Sequence, residues 1–89
     1  MLKIESPQDA SPDLVVALTG TIDAEHLPAL EQVVEHASAA GRPIAFDLSQ
    51  VRLVDRDAVA FFVSGSGRRA RLVGCPTYLE QWLESEGRQ

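Results

Sequence analysis

A change of hydrophobic period along the chain constrains its fold more than any other feature. Leu14-Val15-Val16-Ala17-Leu18 is a continuous apolar run of strand length. Beyond it, Leu27, Leu30, Val33, Val34 and Ala37 recur at helical spacing, with Glu31, Gln32, Glu35, His36 and Ser38 on the other side. The alternation then repeats. Ile44-Ala45-Phe46-Asp47-Leu48 reads as a strand, about Arg56 to Ser64 as a helix, and Arg71-Leu72-Val73-Gly74 as a strand. A last helix starts at Pro76 or Thr77 and ends near Gly87, with Leu79, Trp82 and Leu83 on its apolar side. Residues 2–5 suit a short edge strand. Strands separated by helices pair in parallel through crossovers, because a hairpin cannot join them. The expected fold is therefore α/β, with a mixed, mostly parallel four-stranded sheet and about three helices, the first strand pairing antiparallel at an edge. A chain of 89 residues suits one domain.

Local signals set the expected boundaries. Ser6 to Asp13 is rich in turn formers and reads as a loop. Gly20 marks the end of the first long strand, and Asp23 offers a helix N-cap. Pro28 belongs in a first helical turn, while Gly41 and Pro43 stop that helix. A loop is expected through Val51 and Leu53, and a flexible connector at Gly65-Ser66-Gly67. The run at 14–18 suits a strand buried on both faces, although helices of this number and length cover one face best. The expected core includes Val16, Leu18, Leu30, Val34, Phe46, Leu48, Val59, Leu72 and Leu83.

Charge and composition remove several function classes. The net charge of −5 argues against a nucleic-acid binder, which shows a basic patch. No apolar run reaches the roughly 18–20 residues of a membrane span, so direct membrane insertion is not expected. Met1 to Glu5 lacks the apolar stretch of a signal peptide, and a cytoplasmic location is expected. His26 and His36 stand ten residues apart in one helical pattern and share no ion without a third element. No phosphate-loop pattern is present. The lone Cys75 has no histidine near it in sequence and reads as a small core hydrophobe. Arg68, Arg69 and Arg71 read as a solvated turn. No catalytic residue, metal site or cofactor is expected.

The informative stretch runs from Phe46 to Val59, where a buried strand leads into an acidic helix start. Asp55 suits the cap and Asp57 the first turn, since unpaired N–H groups and the helix dipole favour carboxylates there. Capping alone accounts for both. The same residues also carry a resemblance. Val16-Ala17-Leu18-Thr19-Gly20-Thr21-Ile22-Asp23 resembles the Gly-x-Leu/Ile-Asp segment of STAS domains, and Asp47-Leu48-Ser49-Gln50-Val51 followed by Leu53-Val54-Asp55 resembles their Asp-Leu-Ser-x-Val-x-x-Ile-Asp-Ser-Ser-Gly segment. The order of elements agrees over roughly residues 14–87.

The resemblance implies a STAS-like fold and a non-catalytic, switchable protein-binding module of the anti-sigma-factor-antagonist type, in a bacterial regulatory circuit. Its partner would be an anti-sigma factor or a related kinase-fold ATPase. A second possibility is an accessory STAS subunit that binds the ATPase of a membrane lipid transporter. A third, of another class, is a small nucleotide-binding or phosphotransfer protein. That reading lacks an activating cation, because the sole lysine is Lys3. In the antagonists a kinase phosphorylates the second Ser of Asp-Ser-Ser-Gly. This chain reads Asp55-Arg56-Asp57-Ala58, so Asp57 stands at the phosphoacceptor position and that switch cannot operate there. The resemblance implies partner-binding residues Arg52, Asp55, Arg56, Asp57 and Asp23.

Overall fold

The computed structural model describes residues 2–5 and 14–88. The loop expected at 6–13 lies outside the described residues. Strands β1 (Leu2–Glu5), β2 (Leu14–Ile22), β3 (Ile44–Val54) and β4 (Arg71–Val73) form one sheet in the order β1-β2-β3-β4. β1 pairs antiparallel with β2, and the two remaining pairings are parallel. Helix α1 (Leu27–Ala39) connects β2 to β3, α2 (Arg56–Val63) connects β3 to β4, and α3 (Thr77–Ser85) follows β4. This is the α/β architecture that the alternating periods require.

The strands settle their burial by what covers them. On β2, Val16, Leu18 and Ile22 are buried, but Val15 and Ala17 are only half-buried and Thr19 is exposed. The expectation of a strand buried on both faces is thus corrected. The buried side chains of α1, α2 and α3 join those of β2 and β3 in one cluster on a single sheet face. Lys3, Thr19 and Arg71, whose strand positions point them the other way, are exposed. Eight of the nine expected core residues are buried; Leu72 is half-buried, because β4 is the sheet's edge. At the centre, Phe46 of β3 meets Phe61 and Phe62 of α2, with ring centroids 6.4 and 5.9 Å away, and Phe61 and Phe62 stand 5.1 Å apart. The tilted and edge-on arrangements suit the ring quadrupoles.

Two strand ends move from their expected places. β2 does not stop at Gly20 but passes through it, at φ 103°, to Ile22. β3 does not give way to a loop after Leu48; it runs to Val54. It uses 11 residues alongside the 9 of β2, and the register shifts twice, between Ala17 and Thr19 and between Gly20 and Thr21. The extra residues bulge, so the buried positions fall at Leu48, Val51 and Val54, every third residue instead of every second. That spacing hides the strand from a search for alternation.

The connector at Gly65-Ser66-Gly67 is also more ordered than expected. Ser66–Arg69 forms a 3-10 turn, and Gly67 is buried against Phe61. A Cβ at Gly67 would lie 2.5 Å from the Phe61 ring, which explains a glycine there by close approach.

Candidate functional site

Parallel pairing brings the C-terminal ends of β2 and β3 side by side, with Ile22 opposite Val54. Each strand is followed by an aspartate that starts a helical segment. After β2, Asp23 caps a 3-10 turn (Ala24–His26), its Oδ1 accepting from the Glu25 N–H at 3.1 Å. After β3, Asp55 caps α2, its Oδ1 accepting from the Ala58 N–H at 2.8 Å. The second oxygen of Asp55 accepts from the Ala24 N–H at 3.1 Å, and the Asp55 N–H donates to the Ile22 carbonyl at 3.1 Å. One carboxylate therefore joins the two helical starts. Asp23 Oδ1 also lies 2.7 Å from His26 Nδ1, an ion-pair distance without hydrogen-bond geometry.

The structure thus gathers Asp23 and Asp55 and commits both to backbone N–H groups. Arg52, Arg56 and Asp57 stand around them, all exposed. None of these three side chains has a hydrogen bond or ion pair among the described residues. Asp57 lines a groove of about 410 Å³ between α1 and α2, with Leu27, Glu31, Ala60 and Gly65. Arg56 does not line it, as expected of neighbouring helical residues about 100° apart.

Tyr78 is a member of this neighbourhood that sequence reasoning missed. It precedes Trp82 by four residues and reads as helical packing, yet its hydroxyl donates to the Arg52 carbonyl at 3.1 Å. β4 pairs with β3 only along Ala45 to Asp47, so the later β3 carbonyls on that edge need another partner. No sequence signal marks this, because the shortness of β4 decides it.

The remaining candidates fall elsewhere. Arg68 donates to the Val63 carbonyl at 3.0 Å, at the opposite end of α2 from Asp57. His26 belongs to the 3-10 turn and His36 to α1, so the two histidines do not share one helix. Cys75 sits in the β4–α3 connection, half-buried and packed against the edge of the core. Burial raises its thiol pKa first and Glu80 second, against a smaller opposing effect of Arg88. A thiolate is therefore disfavoured there. Among the described residues, no group of three His, Cys, Asp or Glu side chains is placed to hold a metal ion. No helix among them is long and apolar enough to cross a membrane.

A family model described as "Mlab, STAS domain" matches residues 6–86. Among solved structures, a chain titled "Crystal Structure Analysis of Mglu" is similar, with a TM-score of 0.56 and 19% identity. The match covers 84% of this chain but only 19% of that one, a likeness of fold alone. No curated protein matches the chain.

Proposed function

The chain belongs to the STAS domain family, and on that premise we propose that it is a non-catalytic docking module whose protein partner binds at the start of α2. STAS domains are generally non-catalytic and generally mediate protein–protein interactions. The observation that carries the reading is the set of unpaired charges Arg52, Arg56 and Asp57 around a helix start held rigidly by Asp55. Rigid backbone beneath exposed, uncommitted side chains suits recognition, since no loop has to be ordered on binding and only the side chains lose freedom.

Asp57, at the family's phosphoacceptor position, carries a permanent negative charge of about one, against roughly −1.5 to −2 for phosphoserine. Because Arg56 does not pair with it, both side chains are available to a partner. We read the two as direct contacts, not as an imitation of a phosphorylated state. The partner is an anti-sigma factor or kinase-fold ATPase, with a transporter ATPase as the alternative, and a cytoplasmic location accords with either.

Affinity capture from native lysate, followed by identification of the ATPase recovered, separates the two partners. Titration of that partner then tests the face. As direct contacts, Asp57→Ala and Arg56→Ala each weaken binding by about 1–3 kcal/mol. Tighter binding of Asp57→Ser would instead mark Asp57 as a phosphate imitation. Replacing Arg68 and Arg69 with Ala leaves affinity within a factor of a few. Unchanged affinity in all three α2-start variants removes this surface from the interface.

A further inference from the structure

β1 forms one edge of the sheet, with β2 on its inner side. Among the described residues no strand pairs with its outer side, and an open row of N–H and C=O groups is the template on which a further strand adds. The two faces of β1 differ. Ile4 pairs with the buried Leu18 and so points to the helical side, yet it stays 37% exposed. With Leu14 and Val16 of β2 and Ala29 and Val33 of α1 it lines a groove of about 530 Å³. No Asp or Glu lines that groove, although the chain carries a net charge of −5. On the other face Lys3 and Glu5 are both exposed, with Lys3 Nζ 2.7 Å from Glu5 Oε1.

A lysine on an edge strand ordinarily keeps copies apart, because a like charge meets it across the junction. The spacing of Lys3, Ile4 and Glu5 gives the opposite result. When two copies pair antiparallel about Ile4, Lys3 of each lies opposite Glu5 of the other, and Ile4 lies opposite Ile4. Residues directly opposite stand with Cα atoms about 4.5–5.5 Å apart, so two charge pairs and one apolar contact form together. A slip of one strand by two residues sets Lys3 against Lys3 or Glu5 against Glu5, and like charges directly opposite destabilise a pairing. Charge therefore selects the register that joins the two Ile4 side chains.

We propose that β1 is a self-association edge, on which a second copy of this chain pairs antiparallel through Leu2–Glu5 about a two-fold axis at Ile4. The axis stands perpendicular to the sheet, so the two sheets become continuous and both α1 helices lie on the same side of the junction. The grooves of the two copies then face each other across the Ile4 pair. Burial of Ile4 and the groove wall supplies affinity, and the Lys3–Glu5 pairs fix the register. Arg52, Asp55, Arg56 and Asp57 do not line the groove, so a dimer keeps both of its α2 starts open. Self-association at β1 does not depend on docking at α2.

Sedimentation equilibrium of the intact chain, at concentrations up to ~1 mM, should show monomer and dimer in exchange, since a small interface binds weakly. Ile4→Lys sets like charges at the axis and should leave monomer alone. Lys3→Glu and Glu5→Lys should each weaken the dimer about fivefold or more, because each sets like charges opposite one another at two symmetric positions. Mixed in equal amounts, these two variants should associate with each other more tightly than either does with itself, each supplying the charge that the other lacks. The double exchange, Lys3→Glu with Glu5→Lys, should dimerise as wild type does. Circular dichroism checks the fold of each variant, and rescue in the mixture rules out misfolding as the cause of a loss. A chain that stays monomeric throughout overturns the proposal. So does a dimer that Ile4→Lys leaves intact, or a pair of single variants that fail to associate when mixed. Capture of a foreign protein that Ile4→Lys abolishes, with the chain itself monomeric, gives the edge to another partner and also overturns it. Failure of the α2-start titrations with these results intact removes the docking reading and leaves the dimer standing.

Discussion

Asp55 holds two chain segments with one carboxylate, whereas its neighbour Asp57 holds none. The two acids therefore differ in what their loss costs. Asp55→Ala removes the α2 cap, worth about 1 kcal/mol, and a charge-assisted bond to the Ala24 N–H, worth about 1.5 kcal/mol more. Asp57→Ala removes only its favourable position near the helix N-terminus, a few tenths of a kcal/mol. Urea denaturation of the two variants should show this gap, and equal losses would mean that Asp55 does not bridge the segments in solution. The same contrast separates a residue that builds the start of α2 from one exposed on it. Asp55 and Asp23 lie in the stretches that resemble the family's motifs, and their capping roles were legible from position. Which of their oxygens also crosses to the neighbouring helical start was not, because Asp55 and Ala24 are 31 residues apart.

At the scale of elements, β3 is the unusual strand. Its first bulge is fixed by Asp47, whose Oδ1 accepts from the Ser49 N–H at 3.0 Å. Hydrogen bonds from the Ser49 backbone, and then from its side chain, hold the Asp47 carboxyl below its ordinary pKa, with burial opposing weakly. A depressed folded pKa stabilises the fold above the unfolded value of about 3.9, and that contribution is lost as pH falls through the folded value. The Tm difference between wild type and Asp47→Ala should thus be largest at neutral pH. It should close as the pH is lowered below about 4. A gap independent of pH would remove the carboxylate from the bulge. A strand with two bulges carries no period-2 signal, so the sequence reading placed a loop where the strand continues and where Leu53 is turned outward.

Across the whole molecule, Arg88 ties the chain's last described residue to the far end of the helical layer. Its Nη1 donates to the Phe62 carbonyl at 2.8 Å and the Arg68 carbonyl at 3.3 Å, and its Nη2 to the Ala70 carbonyl at 2.6 Å. These carbonyls lie at the end of α2 and before β4, at the other end of α2 from its Asp55 cap. Arg88→Ala should cost about 1.5–3 kcal/mol, the range for hydrogen bonds to a charged group. Arg88→Lys should recover little of it, because an ammonium lacks the planar fork that reaches diverging carbonyls. Partner affinity should stay as in wild type. Denaturation and partner titration of the same samples check both statements, and a loss of affinity without a loss of stability would place Arg88 in the interface.

The sequence by itself determined the order and type of the elements and most of the core. Those follow from hydrophobic period and from short-range capping, as at Asp23, Asp55 and Pro28. It also marked the start of α2 as the stretch of interest, through local motifs alone. The tertiary structure decided where β3 ends, which face of β2 is covered, that Leu72 and Cys75 are only half-buried, and that Tyr78 reaches Arg52. Each of these depends on an element distant in sequence: the helices cover one face of β2, the shortness of β4 leaves the Arg52 carbonyl open, and β3 bulges where it pairs with β2. A chain's local pattern fixes what a segment is; only the partner strand fixes how far it runs and which side chains are left in water.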